Sequence, residues 1–278
     1  MTSIQQFQSR MQFRSGKGLS DQSFRIGLVV PSSNTTMETE LPEMLRKQRD
    51  QDAPRFTFHS SRMRMKKVSA EELSAMNAQA DRCTTEVSDA GVDVAAYACL
   101  VAVMSQGPSH EKKLRKHLTE VIQQGSPAAE MVTSAGALID GIKKLGARRV
   151  ALITPYMKPL TQMVIDCLNQ AGIEVVDSIS LEISDNREVG RRDPHDLVEI
   201  ARRLDLGEAD AVVLSACVQM PSLPAIPLVE AEHGLPVLSA ATATMRGILD
   251  QLGIKPNFIG CGTLLQPSTV ARTEGGRR

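Results

Sequence analysis

No stretch of this 278-residue chain approaches the roughly 20 consecutive apolar residues that span a bilayer, so the sequence gives no reason to expect a membrane partner. The polar stretch Met1–Gln22 lacks the apolar h-region of a secretory signal. Neither charge is in excess. Lys plus Arg and Asp plus Glu both number 32, which argues against a nucleic-acid partner, because such partners select a large basic surplus. Cys-x-x-Cys, Gly-x-Gly-x-x-Gly, Walker and His-Glu-x-x-His motifs are all missing, and the five histidines have no ligand spacing. The sequence therefore implies no cofactor and no metal. The five cysteines, Cys83, Cys99, Cys167, Cys217 and Cys261, are an odd number without paired spacing. They read as reduced thiols in a cytoplasmic protein rather than a disulfide framework.

What is present is ordinary for a soluble α/β protein: 42% apolar and 23% charged residues, enough to bury a core without staples. Short apolar runs alternate with helical patterns, which suits parallel sheets covered by helices. Strands are expected at Arg25–Val30, Arg55–Arg62, Val92–Ala98, Glu130–Ser134, Arg149–Thr154, Gly172–Ser178, Ala209–Ser215 and Pro236–Ser239, with a last one near Asn257–Gly260. Long helices are expected between them, including an unbroken one over Ala70–Ala90.

Three blocks recur in order. RIGLVVPSSN at Arg25 matches RVALITPYMK at Arg149, VDVAAYACLVAVM matches ADAVVLSACVQMP, and VTSAGALIDGI at Val132 matches VLSAATATMRGI at Val237. An internal duplication follows, and with it two pseudo-symmetric, doubly wound parallel-sheet halves facing each other. The expected division is a flexible extension over 1–24, halves over 25–145 and 146–265, and a flexible tail over 266–278. The final helix is expected to carry the chain back across. Ligands of open α/β sheets bind beyond the carboxyl ends of the strands. That places Ser32–Asn34, Cys99–Val101, Ser134–Ala135, Tyr156, Cys217–Gln219 and Ser239 around one cleft.

Cys99 and Cys217 occupy equivalent places in the two repeats. Each is expected at a strand end before a helix, where unpaired N–H groups favour thiolate over thiol. Two sulfurs facing each other across a ligand give paired acid–base or nucleophilic chemistry without a cofactor. Two buried structural cysteines are the plainer alternative. Cys83, Cys167 and Cys261 have no repeat partner and read as core residues. Ser32, Ser33, Asn34 and Thr35 sit where a helix begins, suited to an anion or to simple capping. Tyr156 fills the slot equivalent to Ser32. Asn186 lies in an expected loop, and Met63–Met65 reads either as a solvated strand end or as a lid.

The motifs VVPSSNTTMETELP, RFTFHSSRMRMKKV, VDVAAYACLVAVM, VTSAGAL, TPYMKPLT, EISDN and VVLSACVQMPSLP together resemble the maleate cis–trans isomerases of the aspartate/glutamate racemase superfamily, over about Arg25–Leu265. The resemblance implies that Cys99 adds as nucleophile to maleate. A succinyl-cysteine adduct then rotates about what has become a single bond, and elimination gives fumarate. It implies further that Cys217 is the proton donor and acceptor and that Asn34, Tyr156 and Asn186 contact the substrate carboxylates. Backbone amides at Leu100, Val101, Val218 and Gln219 would bind the substrate. A homodimer serving catabolism of nicotinate-type aromatics is implied too. Two other enzymes stay open: an amino-acid or hydantoin-type racemase using the same thiols, and an isomerase of analogues such as maleamate. A racemase acting on an ammonium-bearing substrate would need a carboxylate in the cleft; none is obvious near either cysteine, and only Glu38 and Glu40 stay open. A two-lobed binding protein is the non-enzymatic alternative.

Overall fold

The computed structural model describes residues 22–50, 52–104, 106 and 108–267. Most of the expected N-terminal extension and most of the expected tail lie outside these residues. Two four-stranded parallel sheets form the frame. The first contains β1 (Ser23–Pro31), β2 (Arg55–Met63), β3 (Val94–Tyr97) and β4 (Met131–Thr133) in the order β2-β1-β3-β4. The second contains β5 (Arg149–Thr154), β6 (Glu174–Ser180), β7 (Ala211–Ser215) and β8 (Val237–Ser239) in the order β6-β5-β7-β8. The two orders are the same, as a duplication requires. The central strands are buried on both faces, which is why they read as unbroken apolar runs.

The helices of the first half are α1 (Met37–Arg46), α2 (Ala70–Asn77), α3 (Ala80–Ser88), α4 (Leu100–Met104), α5 (Pro108–Ile122) and α6 (Ser134–Lys144). Those of the second are α7 (Lys158–Gln170), α8 (Asn186–Gly190), α9 (Asp196–Ala201), α10 (Ile226–His233) and α11 (Ala240–Leu252). Their starts follow local chemistry: Thr133 caps α6, Asp185 caps α8, and Ser239 with Thr242 forms a capping box on α11.

The long helix expected over Ala70–Ala90 is two helices. Asn77 ends the first because its side chain is drawn inward, accepting from the Tyr97 hydroxyl and donating to the Ala102 carbonyl at 3.3 Å. The strand expected near Asn257–Gly260 is a single antiparallel bridge, Phe258 to Gln48. The segment still ties back to the first half: Arg49 N–H donates to Asn257 O at 2.9 Å and Ile259 N–H to Lys47 O at 3.0 Å. α11 packs against α1, α6, β3 and β4, so the last helix does cross over.

Gly27 marks the tightest approach in the first half. A Cβ there would lie 2.3 Å from Val87 Cγ1 and 3.0 Å from Ala95 Cβ, because α3 lies directly on the centre of β1. Gly27→Ala is expected to destabilise the fold by about 1–3 kcal/mol, the usual cost of overpacking a filled core. Urea unfolding measures it, and an unchanged midpoint would mean that α3 can shift freely.

Candidate active site

In each sheet the winding reverses between two central strands, β1 and β3 in one half, β5 and β7 in the other. The turns beyond such a switch point form a crevice. Here they carry Asn34, Cys99, Tyr156 and Cys217. The β1 turn is held closed by Ser32 N–H to Met63 O at 2.6 Å and Asn34 N–H to Pro31 O at 2.9 Å. Arg62 clamps it from the side, donating to the carbonyls of Ser32 and Asn34 and pairing with Glu38 at 2.5 Å.

The segment after Cys217 has no helix before Ile226, contrary to the expectation that both cysteines would precede one. It is held by side chains instead. Ser215 Oγ donates to Cys217 O at 2.8 Å and Met220 O at 3.2 Å. From the first half, Asn34 Nδ2 donates to Val218 O at 3.2 Å and Thr36 Oγ1 to Gln219 O at 2.6 Å. The Gln219 side chain accepts from Thr35 N–H at 3.0 Å and donates to Ser33 O at 3.0 Å and Asn186 O at 2.8 Å. Asn186 Nδ2 donates to Ser33 Oγ at 2.7 Å. The resemblance pointed to Asn34, Asn186, Val218 and Gln219 as substrate contacts. These four come together as one polar seam between the halves, and Asn186 opens a short helix rather than lying in a loop.

The two thiols are both buried, 4% exposed at Cys99 and 5% at Cys217. Each is within electrostatic reach of Tyr156, and the charge on Cys217 acts on Cys99. The Cys217 sulfur receives three donors: the Tyr156 hydroxyl, Gln219 N–H at 3.3 Å and Met220 N–H. The Cys99 sulfur receives one, the Ala102 N–H inside α4, the helix that Leu100 and Val101 begin. Burial pushes the Cys99 thiol up to about 12, and the charge of Cys217 adds to the effect. Burial raises Cys217 as well, opposed by its donors. The expectation of ready thiolates is thereby corrected: loss of water around sulfur outweighs the few N–H groups offered to it.

The other expected cleft residues have structural work. Ser134 Oγ accepts from Thr244 Oγ1 at 2.9 Å, and Ser239 caps α11. Met63 and Met65 are buried, and Ser32 Oγ and Ser33 Oγ donate to Met65 O. Lys67 bridges to Asp185 of the other half, so the Met63–Met65 run is tied across the crevice. Sequence reasoning missed Thr36, Ser215 and Ser222, and it gave Glu40 only as a possible ammonium acceptor. Among the described residues no group of three or more His, Cys, Asp and Glu is arranged to hold a metal ion. No helix among them is long and apolar enough to cross a membrane.

Residues 26–265 match the model of the arylmalonate decarboxylase family. A maleate isomerase from Geobacillus stearothermophilus is 59% identical, covering 87% of this chain and 97% of its own. The chain belongs to this family, among its maleate isomerases. The crystal structure of the maleate isomerase Iso from Pseudomonas putida S16, a cysteine-to-alanine variant with maleate, superposes with a TM-score of 0.86 at 52% identity, covering 89% of this chain and 99% of that one. A cysteine-to-serine variant of the Nocardia farcinica maleate cis–trans isomerase carries a covalently bound succinylcysteine intermediate. It superposes with a TM-score of 0.84 at 48% identity, covering 88% and 98%. Arylmalonate decarboxylase itself, at 20% identity and a TM-score of 0.66, shares the fold.

Alkylation by iodoacetamide reads the thiol environment directly. At Cys99 the rate is expected to climb steadily from about pH 7 to 10 without levelling, because a thiol at about 12 stays protonated throughout. A plateau below about pH 8 would show that Cys99 is already a thiolate.

Proposed function

We propose that this protein isomerises maleate to fumarate through a covalent succinyl adduct on Cys99, with Cys217 as proton acceptor and donor. The observation that carries the reading is the pair of buried thiols at equivalent strand ends, in electrostatic contact and unequally supplied with donors. Maleate in the Pseudomonas relative and the succinylcysteine in the Nocardia relative support the same chemistry.

The unequal donors suggest how the proton moves. The site carries one negative charge more easily than two, and Cys217, with three donors, is the better place for it. Cys217 is therefore the sulfur that first gives its proton to solvent; as the Cys99 sulfur then attacks C2 of maleate, its proton passes to the Cys217 thiolate and negative charge develops on the distant carboxyl as an enediolate. Fixed N–H groups stabilise such charge where it appears. Protonation of C3 by Cys217 gives the succinyl adduct, whose C2–C3 bond is single and rotates. Cys217 then takes back a proton from C3, the C–S bond breaks, fumarate leaves, and the proton returns from Cys217 to the Cys99 sulfur, which restores the starting state. Substrate carboxylates would displace the present partners of Asn34 and Asn186 and meet the amides of Leu100, Val101, Val218 and Gln219, with Tyr156 near both sulfurs.

A racemase of ammonium-bearing substrates fits less well. Glu38 is paired with Arg62, and Glu40 is spent on backbone N–H groups of the Cys217 segment. The proposal includes a cytoplasmic homodimer, consistent with five free cysteines and with the resemblance.

Proton NMR of purified protein with maleate, without added metal or cofactor, is expected to show fumarate. Cys99→Ala should abolish it, and Cys217→Ala should reduce it by at least about 100-fold, the scale of a lost acid–base group. Tyr156→Phe removes one donor from Cys217 and should cost about 10- to 150-fold in kcat, the worth of one hydrogen bond to a charged group. Full activity in Cys99→Ala would end the reading. Exchange of an amino-acid α-proton without fumarate would transfer it to a racemase.

A further inference from the structure

Two equivalent helices pack on the two cysteine segments, and they meet different needs. α7 packs on α4, the helix that follows Cys99. α4 turns its Ala102 N–H to the Cys99 sulfur, and α7 presents apolar Val164, fully buried. α1 packs on the segment after Cys217, which has no helix of its own. At the 124-residue offset that aligns Arg25 with Arg149, the counterpart of Val164 is Glu40. Its Oε1 accepts from Ser222 N–H at 2.6 Å and from Leu223 N–H at 2.7 Å. Buried N–H groups need acceptors, and these two, lacking a helix, take theirs from the other half of the molecule.

We propose that Glu40 is a positioning residue for Cys217: by anchoring Ser222 and Leu223 to α1, it holds the Gln219 and Met220 amides on the Cys217 sulfur. The anchor completes a series along one face of the segment. Asn34 holds Val218 O, Thr36 holds Gln219 O, and Glu40 holds the next free N–H groups. Glu40 is the ionisable member of the series. Burying a carboxyl is costly, and here burial pushes it up to about 7 although the two N–H groups and Lys47 oppose this. Its second oxygen, Oε2, is buried without a partner, as is Ser222 Oγ. Cys261 and Glu43 share its surroundings with Lys47. A carboxyl kept in so unfavourable a place supplies something an apolar side chain like that of Val164 does not, namely an acceptor for the two amides. In an atom-level sense Glu40 acts through the loop and does not touch the reacting sulfur.

The role rests on the assignment of Cys217 as acid and base only where turnover is concerned; the effect on the sulfur itself is independent of it. The experiment therefore uses two readouts on the full chain. The first is the ratio of iodoacetamide rates at Cys217 and Cys99, resolved by peptide mass spectrometry. The second is the kcat and KM for maleate. Glu40→Ala is expected to lower the Cys217-to-Cys99 ratio at least about fivefold, through lost sulfur donors. It should lower kcat about tenfold or more with KM within about twofold. Glu40→Gln keeps an oxygen for both N–H groups and is expected to restore both readouts to within about threefold of the unmodified protein. If Glu40→Ala does not fold, Glu40→Asp, one methylene too short to reach, replaces it with the same expected ratio. An unchanged ratio, equal slowing at both cysteines, or Glu40→Gln as impaired as Glu40→Ala overturns the proposal. Absence of turnover in the unmodified protein would overturn the isomerase reading instead, while the alkylation ratio still decides the role of Glu40.

Discussion

The hydrogen bonds that run from the start of α1 to the segment after Cys217 carry the architecture of this protein. Parallel sheets with short turns leave their carboxyl ends unsatisfied, and each half alone would expose its cysteine to water. Asn34, Thr36 and Glu40 of one half complete the backbone of the other, while Gln219 of the second half completes Ser33 and Thr35 of the first. The crevice closes over both sulfurs as a result. Each of these bonds is worth only about 0.5–1.5 kcal/mol net, but leaving its buried partner unsatisfied costs more. The seam therefore specifies how the halves meet more than it stabilises either.

Closure sets the electrostatics. A sulfur without water resists ionisation, and two neighbouring sulfurs resist it jointly. The structure breaks the tie by supplying Cys217 with a hydroxyl and two amides and Cys99 with one amide. Duplication accounts for the matched positions of the cysteines; divergence of the segments after them accounts for their unequal chemistry. Where the first half retains a short helix, the second has an irregular run held from outside. That irregularity frees two successive amides to point at sulfur.

The architecture was legible because the strand signals were strong. Both central strands of each half are short, apolar on both faces and bounded by turns, and the repeat of RIGLVVP in RVALITP marked the two halves as equivalent. The thiol pair followed from the same repeat. What the sequence could not show was tertiary in origin. The break at Asn77 comes from Tyr97, twenty residues away, and the lost strand near Phe258 from a docking site on Gln48. Glu40 in METELP reads as an ordinary first-turn helix acid, because its partners lie 182 and 183 residues further on. Gln219 reads as a polar neighbour of a reactive cysteine and is instead a tie between halves. The thiol states could not be read for a similar reason: helix position is visible in a sequence, but the water excluded by the opposite half is not.

The central claim is that Cys99 bonds to the substrate while Cys217 manages the proton. Rapid acid quenching of the unmodified protein with maleate, followed by peptide mass spectrometry, tests it most directly. A succinyl group is expected on the Cys99 peptide and none on the Cys217 peptide. A succinyl group on Cys217, or turnover with no adduct on either cysteine under conditions that trap thioethers, would contradict it.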